Sequence, residues 1–124
     1  QGADIVCMPT NWVPMPGQLP GQPAMANTLA MANAHSNSLN IVCANRIGTE
    51  RGQPFIGQSL IVGADGWPLA GPASIDREEI LCARINIRRS RLTRHLNAFN
   101  DVIRDRRDNV YDTLKQTGWP LPRH

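Results

Sequence analysis

The sequence has no paired cysteines and no long apolar run. Its three cysteines, Cys7, Cys43 and Cys82, are widely spaced and form no CxxC motif. Disulfide-rich domains and structural zinc sites use paired sets of cysteines, so this pattern argues against both classes. No apolar stretch is long enough to span a bilayer, and no signal peptide is visible. We therefore expect a reducing, cytoplasmic compartment and no membrane partner.

Charge is nearly absent from the first third of the chain. Residues 1–45 carry one formal charge, on Asp4, whereas all thirteen Lys and Arg residues come later. A segment with so little charge is typical of one with little surface of its own. The chain also starts directly in a predicted strand, without an initiator methionine. We therefore expect residues 1–124 to be a single partial domain of a larger polypeptide, with residues 116–124 as an irregular tail.

Apolar periodicity in the first half predicts an α/β fold. Residues 4–8 and 39–44 are short apolar runs, which are typical of strands buried on both faces, and Pro9 is expected to stop the first. A proline-rich loop and an alanine-rich helix over residues 24–38 lie between them. The predicted buried stripe of this helix is Met25, Leu29 and Ala32. A strand, helix and strand in this order predict two parallel neighbours.

The second half predicts a hairpin, a strand and a helix. Residues 59–62 and 67–70 flank an Ala-Asp-Gly turn, which is a hairpin pattern. Residues 78–87 alternate between apolar and polar side chains, so they predict a further strand. From residue 88 the period becomes helical. The apolar positions of that helix are Leu92, Leu96, Phe99 and Ile103.

A charged side chain follows the second strand at once. The strand ends in Asn45-Arg46, Gly48 lets the backbone turn, and Glu50 is the acid nearest to Arg46. A charge at the end of a buried strand needs a partner, so we expect Arg46 to pair with Glu50 or with a backbone carbonyl. We interpret the pair as one that shapes a site rather than as catalytic groups.

The order of these motifs resembles that of the carbon–nitrogen hydrolase (nitrilase) superfamily. The matching segments are NRIGTE at residues 45–50, FIGQS at residues 55–59 and the Asp-Gly turn at residues 65–66. The resemblance covers nearly the whole chain and corresponds to the C-terminal part of a family member. It implies an α/β fold, the C-terminal half of an α-β-β-α sandwich with four layers.

The resemblance also implies a chemistry, which is hydrolysis of a non-peptide amide, carbamoyl or nitrile C–N bond, with an amidase or carbamoylase favoured over a nitrilase. The family uses a nucleophilic cysteine, a glutamate base and a lysine that stabilises the oxyanion. All three precede the strand at residues 4–8, so we expect no catalytic residue here and no activity from this chain alone. A catalytic set within this chain, formed by Cys7 or Cys43 with Glu50 and Lys115, is disfavoured. A buried thiol such as that of Cys43 is inert, and Lys115 lies near a chain end that is expected to fray. The three cysteines are better explained as small buried residues.

Asn11 and Trp12 are the candidate substrate-binding residues. They follow the first strand at the carboxyl edge of the sheet, where open α/β sheets bind ligands. The resemblance places this loop beside the nucleophile, so Asn11 would hydrogen-bond the substrate and Trp12 would wall the pocket. A loop-capping asparagine and a core tryptophan are the alternatives, and the second is favoured for Trp12.

Two other classes of function stay open. Eight arginines between residues 84 and 107 would suit a phosphate-binding face. Aspartates at 101, 105, 108 and 112 are interleaved with the later arginines, and no aromatic platform accompanies them, so nucleic acid is a disfavoured partner. The other class is a non-catalytic scaffold or oligomerisation module of the same fold.

The sequence predicts no cofactor and no metal, since neither His35 nor His95 has a second ligand at metal spacing. It does predict self-association. RRDNVY at residues 106–111 matches a family pattern, Arg-Arg-Pro-x-x-Tyr, except that Asp108 replaces the proline. The resemblance places this region at a subunit interface, so we expect a homo-oligomer formed through the C-terminal helix, with Phe99 and Tyr111 buried against the partner.

Overall fold

The computed structural model describes residues 2–19 and 22–107, which form a mixed sheet with two helices. The first strand, β1, is parallel to β2, and the helix α1 joins them. β2 pairs antiparallel with β5, and β5 with β6, so the order across the sheet is β1-β2-β5-β6. β3 and β4 form a separate two-stranded hairpin. The elements are β1 (Ile5–Thr10), α1 (Met25–Asn37), β2 (Asn40–Asn45), β3 (Thr49–Glu50), β4 (Gln53–Pro54), β5 (Leu60–Val62), β6 (Pro68–Ala70) and α2 (Ile87–Leu92).

The predicted parallel pair and hairpin are confirmed, with one change at Pro9. The register runs from Ile5 opposite Asn40 to Thr10 opposite Asn45, so β1 continues through Pro9 instead of stopping there. Proline cannot donate to a ladder, but an edge strand tolerates it. β1 is an edge strand of the described sheet. Thr10 is therefore the last strand residue, and Asn11 follows directly.

The core lies between α1 and one face of the sheet. Ala30 and Ala34 of α1 pack on four buried sheet residues, which are Ile41, Cys43, Leu60 and Val62. The predicted stripe of Met25, Leu29 and Ala32 is wrong, because these three side chains are exposed and Asn27, Ala30 and Ala34 are buried instead. Small side chains let a helix approach a sheet closely, so the alanine face is the one that packs.

Residues 78–87 do not form the predicted strand. Within residues 2–19 and 22–107 they pair with no other strand, and the side chain of Ile80 is 93% exposed. Alternating side chains fit a strand only if a neighbouring strand takes up the backbone N–H and C=O groups. The described chain supplies no such neighbouring strand for residues 78–86.

The predicted helix from residue 88 is shortened to α2. The side chain of Asn86 accepts a hydrogen bond from Arg89 N at 3.0 Å and caps its start. After Leu92, Asn97 Oδ1 accepts from Phe99 N and Asn100 N, and Asp101 Oδ1 accepts from Ile103 N. Such side chains satisfy backbone donors locally and compete with helix formation. Tyr111, Lys115 and the predicted tail at 116–124 lie outside the described residues.

None of the helices in the described residues has the length and apolar character that a membrane span requires.

Candidate functional site

Asn11 and Trp12 lie where β1 leaves the sheet, as predicted. The Trp12 N–H donates to Asn45 Oδ1 at 2.8 Å, and Trp12 O accepts from Ile56 N at 3.1 Å. The Trp12 ring is half-buried and packs on the core, whereas Asn11 is exposed. The Trp12 ring therefore packs on the core, as the favoured interpretation predicted, and it also lines a cleft.

This cleft, of about 800 Å³, runs between β1 and α1 from the Asn11–Trp12 turn to Asn37 at the end of the helix. Met25 and Leu29, which the sequence assigned to the core, lie along it. Among the described residues, the side chains that line it are all uncharged, and most are apolar. Such a cleft suits neutral ligands better than ions, because no charged side chain among the described lining residues would offset the cost of desolvating an ion.

Asn45, the last residue of β2, connects three segments at this edge. Its Oδ1 accepts from Trp12 N and from Thr10 Oγ1 at 3.1 Å, and its Nδ2 donates to Gly57 O at 2.7 Å. Its backbone N–H donates to Ser59 Oγ at 3.0 Å. The sequence pattern did not predict this role. The available signal was a polar amide that ends an apolar strand.

The predicted pair of Arg46 and Glu50 is present. Arg46 Nη1 lies 2.6 Å from Glu50 Oε2, and the guanidinium is stacked 4.3 Å above the centre of the Phe55 ring. Both charged side chains are about half exposed, so the ion pair alone contributes at most about 1 kcal/mol. The pair does not line the cleft beside Asn11 and Trp12. Arg46 instead borders a smaller, polar cleft of about 340 Å³ on the other side of Asn45.

The cysteines of the chain are free thiols. Cys43 is buried, and desolvation raises the pKa of its thiol, which keeps it protonated and unreactive. The prediction that all three cysteines are buried is wrong for Cys7 and Cys82, which are exposed. Cys7 lies on the face of β1 opposite α1, and Cys82 lies in residues 78–86, for which the described chain supplies no partner strand.

No catalytic or metal-binding set is assembled in residues 2–19 and 22–107. The sequence has one lysine, Lys115, and it lies outside the described residues. No group of three His, Cys, Asp or Glu side chains in the described chain has a geometry that would hold a metal ion.

Several of the arginines between residues 84 and 107, which would suit a phosphate-binding face, form ion pairs within the fold instead. Arg91 binds Asp4 through Nε at 3.0 Å and Nη2 at 2.6 Å, and Arg94 Nη2 binds the same carboxylate at 2.9 Å. The hydrogen bond from Arg91 is the main reason why the pKa of Asp4 is lowered. Arg104 contacts Asp105 at 2.9 Å. These internal pairs are consistent with nucleic acid as a disfavoured partner, because arginines held in ion pairs are less available to phosphates.

Known proteins resemble this chain in both sequence and structure. The carbon-nitrogen hydrolase family model matches residues 1–95. A nitrilase from Pyrococcus abyssi is 34% identical over 111 residues, which are 90% of this chain and 38% of the relative.

Two solved structures match with similar coverage. The crystal structure of a carbon-nitrogen hydrolase from Helicobacter pylori G27 has 29% identity and a TM-score of 0.66, over 92% of this chain and 41% of that one. The amidase from Nesterenkonia sp. AN1, in a mutant with acrylamide added at its active-site cysteine, has 26% identity and a TM-score of 0.63, over 91% of this chain and 36% of that one. The chain therefore spans about two fifths of the length of these relatives. The predicted α/β class, as part of a nitrilase-type α-β-β-α sandwich, is confirmed.

Proposed function

Because this chain belongs to the carbon–nitrogen hydrolase family, we propose that it forms one wall of the substrate site of an enzyme that hydrolyses a non-peptide C–N bond. The substrate is an amide or carbamoyl compound in preference to a nitrile. Asn11 hydrogen-bonds the substrate and Trp12 packs beside it. The observation that carries the proposal is the position of these two residues, at the carboxyl end of β1 and at one end of an uncharged cleft.

The reacting groups of the proposed enzyme lie outside this chain. A cysteine thiolate attacks the carbonyl carbon, the C–N bond breaks as a glutamic acid protonates the leaving amine, and water then releases the carboxylic acid. Cys43 is unsuited to that role because its thiol is buried and protonated. Within the described residues no lysine is present to stabilise an oxyanion.

Arg46 and Glu50 shape the site from the outside in this proposal. The Arg46–Glu50 pair and the Phe55 ring hold the loop that follows β2, and Asn45 lies between that loop and the cleft. Their substitution should alter the stability of the loop more than the chemical step.

The direct test is ammonia release by the natural polypeptide that contains this sequence, after its intact denatured mass has been measured. Acetamide, butyramide, an N-carbamoyl amino acid and benzonitrile serve as substrates. We expect a mass above that of this chain and release of ammonia from an amide or carbamoyl substrate. We also expect Asn11→Ala to raise KM, with a matched Asn97→Ala, on an exposed turn far along the chain, as the control. The 124-residue chain by itself should release no ammonia.

A folded natural polypeptide that hydrolyses none of the four substrates would overturn the proposal. In that case the scaffold function, with the same fold and no chemistry, would take its place. Amide hydrolysis by the 124-residue chain that survives replacement of all three cysteines would contradict the proposed location of the nucleophile.

We further propose that the enzyme is a cytoplasmic homo-oligomer. Its free thiols suit a reducing compartment. The segment from Leu92 to Ile103 exposes several apolar side chains, Phe99 the most, which suits a subunit interface.

A further inference from the structure

We propose that Asn45 is the residue that positions the substrate-binding turn, Asn11–Trp12, relative to the sheet. Asn45 does not line the cleft beside that turn, so it would act through Trp12 rather than on the substrate. This inference rests on the proposed function for its consequence in catalysis. Its structural part, that Asn45 fixes the position of Trp12, can be tested without any substrate.

The hydrogen bonds require an amide at position 45. Oδ1 accepts two hydrogen bonds, from Trp12 N at 2.8 Å and from Thr10 Oγ1 at 3.1 Å. Nδ2 donates to Gly57 O at 2.7 Å. Among uncharged side chains only Asn and Gln carry a carbonyl oxygen that accepts two hydrogen bonds and a separate NH2 group that donates, and Gln would extend one carbon further.

Asn45 is itself held firmly, which a positioning residue must be. Its backbone N–H donates to Ser59 Oγ at 3.0 Å, and the Ser59 hydroxyl lies 3.2 Å from Asn45 O. The β1–β2 register ends with Thr10 opposite Asn45, so the strand fixes the backbone up to this point. The side chain of Asn45 then reaches past the end of the ladder to Trp12, which the ladder no longer holds.

Residues 56–57, which include the carbonyl that accepts the Asn45 amide hydrogen bond, are themselves held by backbone hydrogen bonds. Gly57 N donates to Arg46 O at 3.0 Å, and Ile56 N donates to Trp12 O at 3.1 Å. The turn is therefore placed between β2 and residues 56–57, with Asn45 bonded to both sides. A misplacement of about 1 Å at a binding group can cost about a hundredfold in rate, even when the altered residue touches no substrate.

Asn40 offers a matched control on the same strand. It is 1% exposed, and its Nδ2 donates to Asp4 O at 3.0 Å and to Ser90 Oγ at 3.0 Å. Asn40 thus connects neighbouring segments by side-chain hydrogen bonds at the opposite end of β2, as Asn45 does at its own end. Its replacement removes a buried amide without touching the Asn11–Trp12 turn.

The first experiment measures hydrogen exchange of the Trp12 backbone amide in the protein, by NMR or mass spectrometry. We expect Asn45→Ala to accelerate this exchange at least about tenfold, because the N–H loses its acceptor. Asn45→Asp keeps the acceptor for Trp12 N but loses the amide donor to Gly57 O at 2.7 Å and to Trp12 O at 3.5 Å, so its exchange should lie between those of the wild type and Asn45→Ala. Asn40→Ala should leave the exchange of Trp12 within about twofold of the wild type.

If Asn45→Ala does not fold, Asn45→Asp decides the outcome by the same measurement. Exchange at Trp12 that is unchanged in the Asn45 variants, or raised equally by Asn40→Ala, would overturn the inference. The exchange measurement does not depend on enzymatic activity. If the wild type hydrolyses no substrate, the proposed function is refuted, and the exchange data alone decide the role of Asn45.

The second experiment measures kcat and KM with an amide substrate in the active, full-length protein. We expect Asn45→Ala to lower kcat/KM by about tenfold or more, with Asn45→Asp recovering part of it, while Asn40→Ala at a comparable loss of Tm stays within about twofold of the wild type. Equal losses of kcat/KM in the two alanine variants would mean that Asn45 only stabilises the fold, and would overturn its role in positioning.

Discussion

Gly57 lies so close to Ser74 that no side chain fits between them. A Cβ on Gly57 would overlap the carbonyl oxygen of Ser74 and lie 2.9 Å from Ile47 Cγ2. The backbone φ of +59° is also one that glycine adopts without strain. The FIGQS motif therefore needs glycine at its centre for two separate reasons, one steric and one conformational.

We expect Gly57→Ala to lower the free energy of unfolding by more than about 2 kcal/mol, because a backbone oxygen cannot move aside as a side chain can. Gly48→Ala is the matched control. Gly48 has a φ of +85°, but a Cβ there would meet nothing within 4 Å, so only the conformational cost of about 1 kcal/mol applies. Denaturant unfolding measures both variants. Equal losses would contradict the close contact with Ser74.

The residue scale also shows what the sequence could predict at this site. Arg46 and Glu50 are four positions apart, so their pairing could be inferred from the chain alone. The contacts of Asn45 with Trp12 span 33 positions and depend on the register of two strands. Periodicity predicts neither that register nor which loop an amide will reach.

At the scale of elements, the βαβ unit and the hairpin were predictable because apolar runs and turn residues determine them locally. The buried face of α1 was not. Its sequence is so rich in alanine that two faces are almost equally apolar, and the larger residues suggested the wrong one. The sheet selects the face with the smallest side chains, because there the helix can approach most closely.

Ala34→Leu tests which face of α1 is buried. Ala34 is fully buried against the sheet, so the added carbon atoms should overpack the interface and cost about 1–3 kcal/mol of unfolding free energy. Ala32→Leu, on the exposed side of the same helix, should change it by no more than about 0.5 kcal/mol. Thermal or denaturant unfolding gives both values. A larger loss in Ala32→Leu would restore the face predicted from the sequence.

The attachment of α2 to β1 should make stability depend on acid pH. The pKa of Asp4 is lowered, chiefly by its hydrogen bond from Arg91. The folded protein therefore holds the Asp4 proton less tightly than the unfolded chain. This contribution is complete above the unfolded pKa of about 3.9 and is lost as the pH falls through that value towards the folded pKa.

We expect the free energy of unfolding to fall less steeply below about pH 4 in Asp4→Asn than in the wild type. Urea unfolding at a series of pH values measures this slope. Some acid dependence should remain, because hydrogen bonds also lower the pKa values of Asp101 and Asp105. The matched control, Asp76→Asn, removes a carboxylate that is 77% exposed. Identical slopes in the wild type and Asp4→Asn would contradict the lowered pKa.

At the scale of the whole molecule, the motifs predicted the family and its α/β class, since NRIGTE, FIGQS and the Asp-Gly turn keep their spacing. They did not predict the path of residues 78–105. The alternating pattern finds no partner strand in the described chain, and of the helical period only α2 (Ile87–Leu92) forms a helix. A segment of this kind takes its structure from what it packs on, which local sequence does not encode.

The proposed self-association gives the last prediction. Phe99 is 86% exposed, and Leu92 and Leu96 beside it are exposed as well. We expect the wild-type protein to be an oligomer in light scattering after gel filtration, and Phe99→Asp to shift it towards a smaller species, because a carboxylate cannot be buried unpaired in an apolar interface. Ile80→Asp is the matched control, since Ile80 is 93% exposed but lies outside that segment. A monomeric wild type, an unchanged mass in Phe99→Asp, or an equal loss in both variants would each contradict an interface at Phe99.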